Sequence, residues 1–196
     1  MGLDGDAIGH VAARLEFDDP ALLSMFPFPH ELTVLAELRG RRLTLTTSAR
    51  ATSAAGLPIA FGYHPYFQLP GTPRSDWEIE AGLTEQLVLD DRGIPTGDRR
   101  PAQVASGRLA GHTFDDAFLA PDGGKFSLVG GSKRIDVRFE SGYGYSQLFA
   151  PEEDDVLAFE PMTAATNALV RGGTDLTVLG EDETYEARFS VAIEDG

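Results

Sequence analysis

The chain has 196 residues, with 16 Lys and Arg against 31 Asp and Glu, a formal charge of −15, and 42% hydrophobic residues. That length and balance suit one globular domain spanning 1–196, and the acidic field opposes nucleic-acid backbones and anionic membrane surfaces as partners. With no Cys there is no disulfide framework, thiol nucleophile or Cys-ligated metal, and 22 Gly with 12 Pro argue against a helical bundle.

The first seventeen residues lack a basic segment followed by an apolar one, and no run approaches the roughly eighteen apolar residues of a membrane span, which reads as a cytoplasmic protein. Residues 32–38 and 42–47 alternate with a period close to two around Arg39-Gly40-Arg41, predicting an antiparallel hairpin. Shorter strands are predicted at 77–80, 86–89 and 126–129. Residues 135–140 alternate without exception, which buries Ile135, Val137 and Phe139 and turns Asp136, Arg138 and Glu140 to water. Further strands are expected at 145–149, 156–160, 176–178 and 185–193, the last with Tyr185, Ala187, Phe189, Val191 and Ile193 on one side. Only 163–170 has a short helical pattern. The fold class is therefore all-β, an antiparallel sandwich. The glycine pairs at 123–124, 130–131 and 172–173 read as turns, since no Lys-Ser/Thr follows them, and the acidic run 152–155 reads as a solvated loop.

The four His, at 10, 30, 64 and 112, have no metal-ligand spacing, and no nucleophilic serine motif is present. Three segments hold the remaining chemistry. In Phe61-Gly62-Tyr63-His64-Pro65-Tyr66-Phe67, four aromatic residues surround one His, as a platform for the apolar faces of a sugar would; composition alone fits a core aromatic cluster better. The strand 156–161 ends in Glu160-Pro161, with Glu160 on the face of Ala158 and Val156. Pro65 after His64 and Pro161 after Glu160 hold both residues extended, as a fixed acid/base pair requires and as ordinary strand ends also allow. In Phe114-Asp115-Asp116-Ala117-Phe118 a carboxylate could accept from vicinal hydroxyls or close a turn.

In this order these segments resemble the aldose 1-epimerase (galactose mutarotase-like) family. The resemblance runs from Phe26-Pro27-Phe28-Pro29-His30-Glu31-Leu32 through the His64 segment, Gly93-Ile94-Pro95-Thr96-Gly97 and Phe114-Asp115-Asp116 to residues 159–169, Phe-Glu-Pro-Met-Thr-Ala-Ala-Thr-Asn-Ala-Leu. It implies a galactose mutarotase-like supersandwich with a sugar cleft. His64 matches the proton donor to the ring oxygen and Glu160 the base at the anomeric hydroxyl. Asp115 matches the acid that binds sugar hydroxyls, with Tyr66 and Phe61 as further substrate contacts. The implied activity is α/β anomer exchange of a hexose without cofactor or metal. A sugar-binding protein with reduced catalysis and a hexose-6-phosphate mutarotase-like enzyme, with Arg74, Arg99 and Arg100 as phosphate candidates, are the alternatives. The family's amino-terminal strands and their cleft His and Arg have no counterpart here, and His10 does not replace them. This leads to the expectation of a sandwich truncated at its front and covered by a homo-oligomer or a separately encoded amino-terminal half.

Overall fold

The computed structural model describes residues 8–102, 107–120, 123–173 and 175–195, so the start of the amino-terminal stretch read above lies outside it. In chain order the elements are β1 (Ile8–Phe17), α1 (Pro20–Met25), β2 (His30–Arg39), β3 (Arg42–Ala51), β4 (Leu57–Ile59), β5 (Tyr66–Phe67), β6 (Glu78–Ala81), β7 (Glu85–Leu89) and β8 (Pro95–Pro101). They continue with β9 (Gly107–Arg108), β10 (Phe114–Leu119), β11 (Lys125–Gly130), β12 (Lys133–Ser141), β13 (Tyr145–Ala150), β14 (Leu157–Met162), α2 (Ala168–Arg171), β15 (Thr177–Leu179) and β16 (Thr184–Asp195). Among the described residues no helix is long and apolar enough to cross a membrane.

An eight-stranded sheet, ordered β1-β2-β3-β16-β12-β11-β6-β9, packs on a six-stranded one, β5-β14-β13-β10-β7-β8, while β15 and β4 form a small third sheet. All pairings are antiparallel. Period-two alternation sends Phe126, Val137, Phe139 and Phe189 inward from the larger sheet and Phe118, Leu148, Leu157 and Phe159 from the smaller, all but excluded from solvent. The Phe126 and Phe159 rings stack across the layers at 5.3 Å.

The predicted hairpin forms in full register, Leu38 opposite Leu43. Two details depart from the sequence reading. Asp136 is buried rather than wet, because Ser127 donates to it at 2.6 Å, Arg134 at 2.7 Å, and Lys125 pairs with it at 2.9 Å. Alternation gives only the face, and neighbouring strands decide whether that face is covered. The helix expected over 163–170 shrinks to Ala168–Arg171, since Asn167 takes a left-handed φ of 67° that a helix interior does not allow.

The larger sheet extends past the smaller one. Cross-strand rows Val11–Ala36–Leu45–Phe189 and Leu38–Leu43–Val191–Val137 begin in the core and end on bare surface, with Val11 68%, Leu38 42% and Leu43 39% exposed, and Ile193 beside them 44%. Arg14, Glu31 and Arg50 lie on the opposite face and pair there, while Arg41, paired with Asp195, stands at the rim of the apolar face. An apolar groove of about 610 Å³ results, between Leu38, Leu43, Val191, Ile193 and Pro65. The isolated chain is expected to light up the dye ANS. Leu38→Asp with Leu43→Asp should remove most of that signal while far-UV circular dichroism stays unchanged. A dark wild type would mean the face is covered, and light scattering on the same samples tells whether copies of the chain cover it.

Candidate active site

The site forms on the face of the six-stranded sheet that points away from the core. In β14, Leu157 and Phe159 face inward and are fully buried, so alternation turns Ala158 and Glu160 outward. In β13, Gln147 stands opposite Glu160 and Phe149 opposite Ala158. In β10, Asp115 lies opposite Phe149. Directly paired residues share a face, which gathers Asp115, Gln147, Phe149 and Glu160 on one surface. Val156, expected to share it, precedes the strand and takes no part.

His64 arrives from the other side of β14. Strand β5 pairs with β14, Tyr66 opposite Ala158 and Phe67 opposite Leu157. The same register continues upstream across His64-Pro65: the Tyr63 N–H donates to the Pro161 carbonyl at 3.1 Å, Gly62 bridges Met162, and the Thr163 N–H donates to the Phe61 carbonyl at 2.9 Å. Residues 61–67 thus run as an interrupted strand along 157–163, which sets His64 across from Glu160. His64 Nε2 lies 3.0 Å from Glu160 Oε1. The Tyr66 ring lies 4.5 Å from the imidazole, and Phe149 meets it edge-on at 5.5 Å.

Burial, followed by the negative charge of Asp115, pushes the Glu160 carboxyl up from 4.5 to about 7. Its side chain is only 13% exposed, against 42% for His64. The Asp115 carboxylate accepts from the Gln147 amide at 2.7 Å. Together His64, Asp115, Gln147, Phe149, Glu160, Met162 and Thr166 line a cleft of about 330 Å³, at the small end of ligand sites. The larger apolar groove over the overhang shares only His64 with it and is lined by no carboxylate, whereas this cleft holds two, Asp115 and Glu160. Among the described residues no cluster of ligating side chains suits a metal.

Of the residues singled out in the sequence, His64, Glu160 and Asp115 converge, and Tyr66 flanks them. Phe61 does not join them. Its ring packs edge-on against Tyr143 and Tyr185 at 6.3 and 6.4 Å in the core, because its neighbours in register face inward. Arg74 spends its guanidinium on the carbonyls of Ala110 and His112, each at 2.9 Å, and Arg100 donates to Gln86 at 3.3 Å. Arg99 lines a small hollow with Tyr145 that shares Thr166 with the cleft. Gln147 was missed in the sequence; its cue is two-residue spacing from Phe149 on an alternating strand, which says nothing until the partner strand is known.

The chain matches the family described as aldose 1-epimerase over residues 7–192. No curated protein matches it. Among solved structures it is similar to a galactose mutarotase-like protein from Clostridium acetobutylicum, with 18% identity and a TM-score of 0.82, covering 96% of this chain and 63% of that one. A galactose mutarotase related enzyme from Lactobacillus acidophilus gives 19% and 0.81, with coverages of 95% and 68%. A galactose 1-epimerase from Lactobacillus acidophilus NCFM gives 16% and 0.77, with 100% and 65%. These likenesses establish the all-β galactose mutarotase-like architecture, and the chain spans about two thirds of the length of these relatives.

The raised Glu160 carboxyl has a consequence for stability. A carboxyl whose folded pKa lies above its unfolded one favours folding below 4.5, and that contribution, on the order of 2–3 kcal/mol, is lost as pH rises through about 7. Glu160→Gln is neutral at every pH. It is expected to melt about 5 °C above the wild type at pH 8 and level with it at pH 4, as read by scanning calorimetry.

Proposed function

Because the chain belongs to the aldose 1-epimerase family, we propose that it interconverts the α and β anomers of a hexose, with Glu160 as base and His64 as acid. The single observation behind this reading is the 3.0 Å contact of His64 Nε2 with Glu160 Oε1 at the edge of a monosaccharide-sized cleft. The hemiacetal's anomeric hydroxyl and ring oxygen share one carbon, so an acid and a base that lie side by side can reach both. Ionised Glu160 takes the proton of the anomeric hydroxyl, the carbonyl forms, and the bond from the anomeric carbon to the ring oxygen breaks. Its electron pair stays on the ring oxygen, which takes a proton from the His64 imidazolium. Rotation of the open-chain carbonyl and reclosure with the roles exchanged give the other anomer. The step balances on these two side chains.

Tyr66 and Phe149 offer ring faces to the sugar's C–H surface, and Asp115 and Gln147 offer an acceptor and a donor to its hydroxyls. A neutral hexose is favoured over a phosphorylated one, since Arg74 and Arg100 are engaged within the protein and Arg99 lines the adjoining hollow, not the cleft itself.

Polarimetry of freshly dissolved α-galactose and α-glucose tests the reading. Wild type should speed the approach to equilibrium, and His64→Ala and Glu160→Ala should each lose about 10²-fold or more. No acceleration by folded wild type overturns it, and retained galactose binding by calorimetry would then favour a sugar-binding protein. A preference for glucose 6-phosphate would move the assignment to phosphorylated hexoses.

The pair works while it holds one proton, so the pH–rate profile should be bell-shaped. Its acid limb marks ionisation of Glu160 and should lie well above the ordinary carboxylate range. Asp115→Asn removes a negative neighbour, which lowers the Glu160 pKa and should shift that limb to lower pH whatever it does to KM.

A further inference from the structure

The distance between His64 and Glu160 depends on a register that little else enforces. Strand β5 is two residues long, and Pro65 brings no N–H to the ladder. A slip of one residue along β14 would turn His64 to the sheet's other face. What holds the upstream end is the contact of residues 61–63 with 161–163. The Thr163 hydroxyl accepts the Phe61 N–H at 2.9 Å and donates back to the Phe61 carbonyl at 3.0 Å, while its own N–H reaches that carbonyl at 2.9 Å. One residue thereby closes both backbone groups of Phe61. Between the strands, Gly62 leaves no room: a Cβ there would lie 2.7 Å from the Pro161 carbonyl oxygen and 3.4 Å from Met162 Cα. Its φ is not positive, so close approach and not backbone freedom requires the glycine. The loop is also pinned on its far side, where the Tyr63 hydroxyl bonds Thr47 at 2.6 Å and its ring packs on Phe189.

We infer that Thr163 and Gly62 are positioning residues that lock the 61–67 strand in register on β14 and so set the separation of His64 from Glu160. Neither lies between the two reacting side chains. Thr163 acts through the backbone of Phe61 and Gly62 by letting the strands touch. The catalytic part of this inference rests on the anomer-exchange reading; the geometric part stands without it.

Three variants separate the possibilities. Thr163→Val keeps the shape and removes the hydroxyl, Thr163→Ser keeps the hydroxyl, and Gly62→Ala keeps every donor and acceptor but wedges the strands apart. The first readout needs no substrate: NMR titration of the ¹³C-labelled Glu160 carboxyl and of the ¹⁵N-labelled His64 imidazole. The ionisable groups facing Glu160 across the cleft are His64 and Asp115, and Asp115 is untouched by these variants. Opening the gap admits water. In Thr163→Val and Gly62→Ala the Glu160 midpoint should therefore fall by at least one pH unit, and the imidazole signal of the His64–Glu160 contact should vanish. Thr163→Ser should match wild type. With α-galactose as substrate, the same two variants should lose at least tenfold in kcat with KM within twofold, and Thr163→Ser should keep both.

A folded Thr163→Val or Gly62→Ala with wild-type titration and imidazole signals overturns the inference. If Thr163→Val does not fold, Gly62→Ala carries the test alone. A wild type that exchanges no anomers refutes the proposed function and leaves the titration arm to decide the lock.

Discussion

The antiparallel register of residues 61–67 on 157–163 is the constraint on which both the core and the cleft depend. One alternation serves both. The parity that buries Leu157, Phe159 and Phe67 is the parity that turns Ala158, Glu160, Tyr66 and His64 outward. An imidazole and a carboxyl brought together this way need no flexible side chain to search for its partner. The geometry is the ladder's own, and the two prolines hold each residue in the extended conformation that the ladder requires.

Electrostatics then sets which proton states the pair can reach. Glu160 is buried and has Asp115 nearby, both of which disfavour its charge. Asp115 is satisfied by the Gln147 amide and not by a cation. An Arg or Lys in place of Gln147 would cancel the field that keeps Glu160 near neutrality, whereas an amide supplies a hydrogen bond and leaves the negative charge effective. The contrast lies on the outer face of the larger sheet, where Asp136 is held well ionised by Ser127, Lys125 and Arg134. Two buried acids in one sandwich are thus tuned in opposite directions by their neighbours.

Local pattern revealed what local pattern determines. The β2–β3 hairpin, β12 and β16 were legible because each alternates over many residues, and β14 because an apolar run ends in Glu160-Pro161. His64, Glu160 and Asp115 were legible as motif residues, and their convergence was not, since it comes from cross-strand register. Strands β4, β5 and β9, three residues long or fewer, carry no readable period. Phe61 looked like part of the aromatic platform because it belongs to the same seven residues, yet its position on the interrupted strand directs it to Tyr143 and Tyr185. Asp136 looked wet for a similar reason: its partners lie on β11 and at the start of its own strand, and only the folded sheet brings Lys125 and Ser127 beside it.

The interrupted strand also divides the chain by how freely its length can drift. Phe61 and Thr163 are separated by 102 positions, and the connections within that span can gain or lose residues in their turns without disturbing which way any side chain of the ladder points. Inside 61–67 or 157–163 the arithmetic is different. A single inserted or deleted residue exchanges odd for even and moves His64 or Glu160 to the sheet's other face, so a ladder that keeps both on the cleft side tolerates substitution there but not a one-residue indel. The cleft is in this sense a parity device, protected against slippage and open to change almost everywhere else.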